Sequence, residues 1–419
     1  MPTSGETTIS GEPTTGESGT SSESSSSGST VATSVEPICG DGVVEGDEAC
    51  DDGNRDPDDG CDLCAAALFV RWSVEFGGQK PDYPTAVAVA GDGGIYVGGV
   101  TNYDTLVVRK FDSAGAVVWM WSGEFGVPSL AATPDGGVVV GGSLPMMDQT
   151  SATWVRRFTG DGDEVWTFSE PGEVPGYASA SGVEVLGDAV FVTSAEPMDG
   201  MTSKLGVRRL DLASGAEVWQ QEYDNDGLGV AYSNSAPDGD HLVVFGDLAA
   251  DMNAVFVQRW DASGALLSTW TWSSPEWAYN GGHGAAVLPD GTTVVAAPGG
   301  VQAPEFDGSH LVGFAEDGTI AWAPKIAESW DTAVLGGVAV DGTRALVVGR
   351  ANLPSSQVVG LLAVYSADGV EQSVRSVAGS SFNCGFEDIA THPDGVIVIG
   401  YCQKDQTGVD WWVSMLESP

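Results

Sequence analysis

From residue 66 to the end of the chain the sequence repeats itself about every fifty residues, and this period constrains the fold more than any other feature. Two hairpin signatures alternate. The first is an apolar run, an Asp-Gly or Gly-Asp turn and a second apolar run, as in AVAVAGDGGIYVGG, with turn aspartates at Asp92, Asp135, Asp188, Asp238, Asp290, Asp341 and Asp394. Glycine beside aspartate supplies the positive φ that a tight hairpin turn needs. The second is strand, glycine turn, strand, often ending in tryptophan: KFDSAGAVVW, RFTGDGDEVW, RLDLASGAEVW, RWDASGALLSTW, GFAEDGTIAW and VYSADGVEQS. Its turn glycines are Gly115, Gly162, Gly215, Gly264, Gly318 and Gly369.

Seven copies of one hairpin and six of the other make seven whole units if the ends of the domain meet. An orphan strand, ALFVRWSVEF, opens the domain, and an orphan third strand, DWWVSML, ends it. Pairing the two closes a ring and removes the exposed sheet edges. The expectation is an all-β fold over 66–419: a seven-bladed β-propeller of four-stranded blades, closed by the N-terminal strand. The 58 glycines and 14 tryptophans fit strands joined by tight turns. The 16 Lys plus Arg against 59 Asp plus Glu, a formal charge of -43, set the chain against nucleic acid and anionic membrane surfaces. No apolar stretch of about 18 residues offers a membrane span.

Upstream of the propeller the composition changes twice. Residues 1–36 are almost wholly Ser, Thr, Gly, Glu and Pro, without the apolar period that could offset ordering entropy, so a disordered linker is expected. Residues 37–65 hold Cys39, Cys50, Cys61 and Cys64 with almost no hydrophobic core, so the segment needs staples to fold. Four cysteines allow three pairings, which spacing alone leaves open; zinc is the competing reading of Cys61 and Cys64. Asp52, Asn54, Asp56 and Asp58 alternate along the acidic turn and could gather hard oxygen ligands around Ca2+. An EF-hand would want Gly and Glu where Pro57 and Leu63 stand.

Two resemblances follow from these residues. Cys39-Gly40-Asp41-Gly42, Glu48-Ala49-Cys50-Asp51-Asp52-Gly53-Asn54 and Asp59-Gly60-Cys61, closed by Cys64, resemble a disulfide-rich repeat of secreted myxobacterial proteins. RLDLASGAEVW resembles the repeat of quinoprotein-like propellers, which implies the fold and not the quinone chemistry.

Turns inside the hairpins are tight, whereas the connections between hairpins run to about ten residues or more. The long-loop face is therefore the expected binding face. Near the starts of inner strands it would carry Tyr83, Tyr177, Tyr232, Trp277 and Tyr279, with Met146, Met147 and Phe306 in other long loops. Such aromatics could stack on a sugar or peptide, or simply fill gaps between blades. Trp119, Trp166, Trp219 and Trp322 stand four residues after a turn glycine, a regularity that points to blade packing. Register across the turn pairs Arg157 with Glu164 and Arg209 with Glu217. His241, His283, His310 and His392 fall in different repeats without metal-ligand or nucleophile-elbow spacing. Cys384 and Cys402 stand nine residues either side of Pro393 in the last inner hairpin and are expected to be bonded.

Together these features describe a non-catalytic secreted or cell-surface module that binds a glycan, peptide or surface protein, or serves as a structural scaffold. The alternative is a quinoprotein-like or hydrolytic propeller enzyme. The expected protein is a monomer with no assured cofactor. Its export signal is expected upstream of Met1, and its contact with membrane only through a lipid anchor there.

Overall fold

The computed structural model describes residues 61–62, 65–66 and 69–417. Excepted are 78–79, 103–104, 125, 127, 146–150, 172–178, 198–202, 224–228, 249–253, 278, 301–307, 327–331, 353–356, 378–382 and 405–407. Within it a ring of seven antiparallel four-stranded blades forms a seven-bladed β-propeller. Blades one to six run in chain order over 83–124, 129–171, 179–223, 230–272, 279–322 and 332–377. Blade seven combines Asn383–His392, Gly395–Lys404 and Gly408–Glu417 with Phe69–Phe76, which pairs from Phe69 opposite Glu417 to Phe76 opposite Trp411. In blade five the innermost strand is split into two pieces, Tyr279–Asn280 and Gly284–Val287, which both pair with Thr293–Gly300.

The second and third strands of each blade are covered on both faces, which is why they read as unbroken apolar runs such as Ile95-Tyr96-Val97 and Leu242-Val243-Val244-Phe245. Seven apolar clusters fill the seven gaps between blades. The closing gap, between blades seven and one, holds Ile397, Ile399, Trp411, Val413 and Met415 against Val87, Ile95, Val97 and Phe111.

Each gap is also tied at the inner strands by a hydrogen bond that uses a side chain. Val87 N donates to Asp388 Oδ2 (3.0 Å), Thr85 Oγ1 to the Pro128 carbonyl (3.4 Å) and Val183 N to Ser129 Oγ (3.0 Å). The hydroxyls of Ser181 and Ser233 are hydrogen-bonded at 2.9 Å, and Gly282 N donates to Asp247 Oδ1 at 2.6 Å. Leu335 N donates to Ser309 Oγ and Val358 N to Asn383 Oδ1, each at 3.0 Å. Polar residues within otherwise apolar inner strands thus belong to the joints of the ring.

The outer rim shows what the repeated tryptophans do. The indole N–H groups of Trp72, Trp119, Trp166, Trp219 and Trp322 donate to Ser113, Gly160, Leu212, Ala262 and Ala367 carbonyls in the next blade's outer turn. Each ring lies over that turn's glycine: a Cβ at Gly215, whose φ is +70°, would stand 2.6 Å from Trp166. Glycine there satisfies both the turn and the ring.

The arginine pairing departs from the expected register by one residue. Arg156, not Arg157, meets Glu164 (3.1 Å), and Arg208, not Arg209, meets Glu217 (3.0 Å). A bulge between Arg157 and Phe158, and another between Arg209 and Leu210, shifts the ladder and exchanges the faces. Arg157 and Arg209 reach instead to the turn aspartates Asp135 (2.6 Å) and Asp188 (3.1 Å) of their own blades.

Candidate functional site

Inner strands turn one unpaired backbone edge to the central channel, and bulges decide which side chains reach it. Register shifts fall between Pro84 and Ala86, Ala180 and Gly182, Val230 and Tyr232, Leu335 and Val338, and Phe386 and Asp388. Opposite four of these bulges the second strand carries a small residue, Gly99, Ser194, Gly349 or Gly400, whereas in blade four Leu248 and Asp247 face the bulge. The approach is close, since a Cβ at Gly99, Gly349 or Gly400 would stand 2.1 to 2.2 Å from the carbonyl oxygen of Tyr83, Val334 or Gly385. The bulge in blade seven sets Glu387 out of the ladder, midway along its inner strand.

Around Glu387 four blades bring together a mixed cluster. Arg350, one residue past Gly349 in blade six, places Nη1 3.8 Å from Glu387 Oε1. Tyr401, one residue past Gly400, hydrogen-bonds with Arg350, and its ring lies over Gly385. The Tyr83 ring of blade one meets Tyr401 edge-on at 5.8 Å. His283 of blade five, bonded to the Leu335 backbone, completes the group.

The electrostatics follow from enclosure. Burial and then the positive charge of Arg350 push His283 down to about 4, so it is neutral at physiological pH. Burial raises Glu387 above the usual carboxylate range, with Arg350 opposing the shift. Burial raises the Tyr401 phenol as well. Deeper in the channel, Asp388 is pushed up to about 7 by burial, although its carboxylate accepts from Val87 N and Ile389 N. Glu184 is raised well above the usual range by burial and then by Asp388, and the nearby Ser235 side chain opposes the shift. Both carboxyls are partly open to the channel yet enclosed by protein elsewhere, a setting that holds a carboxylic acid protonated near neutral pH.

The expected site residues are dispersed by this arrangement. Tyr83 is 38% exposed and belongs to the cluster. Trp277 is 8% exposed, packed on His310 at 4.8 Å with Lys325 over its ring, apart from the cluster. Tyr232 pairs through its backbone with Asp247, and Tyr279 with Gly300, both at starts of inner strands. Tyr177, Met146, Met147 and Phe306 lie outside the described residues. So do Cys39, Cys50, Cys64, Asp52, Asn54, Asp56 and Asp58, while Cys61 is placed by its backbone pairing with Ala66. Cys384 and Cys402 stand directly opposite one another and are disulfide-bonded, Cα to Cα 4.1 Å. Among the described residues no three His, Cys, Asp or Glu side chains are grouped to hold a metal ion.

Arg350, Glu387, Tyr401, Asp388 and Glu184 escaped the sequence reading. The available signal was charge in the wrong place: Glu387-Asp388 interrupts an apolar inner strand, and Arg350 and Tyr401 follow the glycine that closes the apolar run of two second strands.

Comparison with known proteins supplies a frame for this geometry. Residues 30–65 match a family model described as a domain of unknown function, DUF4215, which takes in all four cysteines of the N-terminal module. No curated protein sequence matches the chain. Among solved structures, a quinohemoprotein alcohol dehydrogenase from Pseudomonas putida HK5 is similar at a TM-score of 0.50 and 12% identity, covering 84% of this chain and 76% of that one. A protein of unknown function from Bacteroides caccae gives a TM-score of 0.43 at 14% identity, covering 75% of this chain and all of that one (100%). A neuraminidase-like protein of A/little yellow-shouldered bat/Guatemala gives 0.45 at 10% identity, covering 84% and 100%. Likeness at such identities concerns the fold alone, and the fold it supports is a β-propeller.

Proposed function

We propose that the chain is a non-catalytic binding module, held outside the cytoplasm on its linker and cysteine-rich segment, that captures a glycan at the long-loop mouth of the propeller channel. The observation that carries this reading is the cluster of Tyr83, Tyr401, Arg350 and Glu387, drawn from three blades and partly open to solvent. Tyrosine offers a flat apolar face with a polar tip, and a guanidinium and a carboxyl beside it can hydrogen-bond sugar hydroxyls. The Cys384–Cys402 disulfide supports an oxidising compartment. Peptide and protein surfaces are the other partners this mouth could take, and Ca2+ remains the proposed occupant of Asp52, Asn54, Asp56 and Asp58.

A hydrolytic enzyme is the second reading. It is favoured by Asp388 and Glu184, two carboxyls raised in one channel, as a general acid requires. Glycan-array binding with the full chain, followed by Tyr83→Ala, tests the first reading: glycan capture without turnover, weakened about tenfold by loss of the ring, is expected. Turnover that disappears in Glu184→Gln or Asp388→Asn would replace it with the second.

A further inference from the structure

Arg350 is a cationic side chain of the mouth, and it is underused. A guanidinium carries five N–H donors in a planar fork suited to a two-oxygen anion. Here it meets Glu387 at 3.8 Å, longer than a charge-assisted hydrogen bond, and Tyr401, while its side chain remains 42% exposed. Glu387 is a poor permanent partner because its enclosure disfavours the charged carboxylate. His283 brings no competing positive charge. The Tyr83 ring, 38% exposed, stands on the Tyr401 side of the guanidinium, so a flat ring could lie on Tyr83 while an attached anionic group reaches Arg350.

Resting on the glycan reading above, we infer that the ligand is an acidic sugar whose oxyanion, a ring carboxylate or sulfate, is held by Arg350 while the sugar ring packs on Tyr83. Glu387 is then a gate of matched chemistry: it occupies the guanidinium loosely in the free protein and yields to the ligand's oxyanion. The whole-molecule charge opposes such a ligand at long range, with -43 formal charges on the chain. The attraction to Arg350 is local and short. Salt therefore screens the repulsion more than the contact, so affinity should hold or rise between about 0.01 and 0.15 M ionic strength.

Calorimetric titration of the full chain with trigalacturonate, a sulfated carrageenan oligosaccharide and neutral galacto-oligosaccharides tests the inference. Binding of one acidic probe, with the neutral probes much weaker, is expected; the acidic probe that binds decides between carboxylate and sulfate. Arg350→Ala should weaken the acidic probe about 10- to 100-fold, the scale of a lost charge-assisted pair, and Arg350→Lys less. Glu387→Gln should tighten it, an outcome that a merely structural role for the ion pair would reverse. An unchanged melting temperature and an intact Cys384–Cys402 bond show that each variant is folded. Equal affinity for neutral and acidic probes would overturn the inference and leave the glycan reading standing; no binding of any glycan, with peptide or protein capture at the same mouth, would overturn both.

Discussion

Asp388 joins two tasks in one side chain: it accepts the hydrogen bond from Val87 N that ties blade seven to blade one, and it faces the channel. Its folded pKa, about 7, lies above the unfolded value of about 3.9. The unfolded chain therefore binds fewer protons than the folded one between those values, so the residue's contribution to stability falls as pH rises from about 4 to about 7. Asp388→Asn still accepts from Val87 N and carries no charge. In melting curves taken from pH 4 to 8, the variant should gain on the parent as pH rises from about 4 to about 7 and hold level above that; parallel curves would show that Asp388 is not raised. Surface carboxylates such as Asp135 and Asp211, which hydrogen bonds hold low, act in the opposite direction in both proteins and cancel in the comparison. Gly400 makes the complementary point about space. Its absent Cβ would sit 2.1 Å from the Gly385 carbonyl, so Gly400→Val should cost about 1–3 kcal/mol in a denaturant titration and misplace Tyr401 next to it. These residues also mark where the sequence stops being legible. Tryptophan on glycine recurs at fixed spacing and can be read. Glu387 reaches the channel only because one residue is squeezed out of a ladder, and a bulge of that kind leaves no period behind.

Hairpins are legible to the extent that their ladders run true. Counting outward from Pro393 places Cys384 opposite Cys402, and the ladder pairs them even though a bulge intervenes at Glu387, because the tight turn at His392 and Gly395 offsets the count. The outer hairpins of blades two and three have no such offset: one bulge near the turn moves Glu164 from Arg157 to Arg156, and Glu217 from Arg209 to Arg208. The disulfide closes a loop with a sequence separation of 18, worth about 3 kcal/mol in the chain-entropy model. The paired replacement of Cys384 and Cys402 by alanine should lower unfolding free energy by that order. It should also weaken ligand capture, since Glu387 and Tyr401 hang from the two strands the bond joins. A variant with unchanged stability and unchanged capture would show the bond to be incidental.

At the scale of the molecule, everything depends on a ring whose ends are far apart in sequence. Six gaps join blades that follow one another along the chain. The seventh joins Asn383–His392 and its partners to Tyr83–Val89, and blade seven is complete only with Phe69–Phe76 as its outer strand. That strand contributes a backbone ladder to Gly408–Glu417, the Trp72 indole bond to Ser113 across the gap at 3.0 Å, and Arg71 between Asp394 and Glu417, both at 3.5 Å. Surface ion pairs of this kind contribute little. The ladder and the buried contacts of Trp72, Val74 and Phe76 with the closing cluster matter more. A chain beginning after Phe76 leaves the Gly408–Glu417 edge unpaired and one face of that cluster open to water, and no other strand of the ring can take the place without leaving its own blade. Because neighbouring blades share their cores in sequence around the ring, the loss spreads instead of ending in one hairpin. The truncated protein should melt at least about 10 °C lower in a single transition and associate through the bare edge, visible as a concentration-dependent rise in sedimentation coefficient. Adding the peptide spanning residues 66–77 in excess should restore part of the lost stability by mass action. A truncated chain that melts with the parent and stays monomeric would mean that the ring is held shut by its inner joints alone.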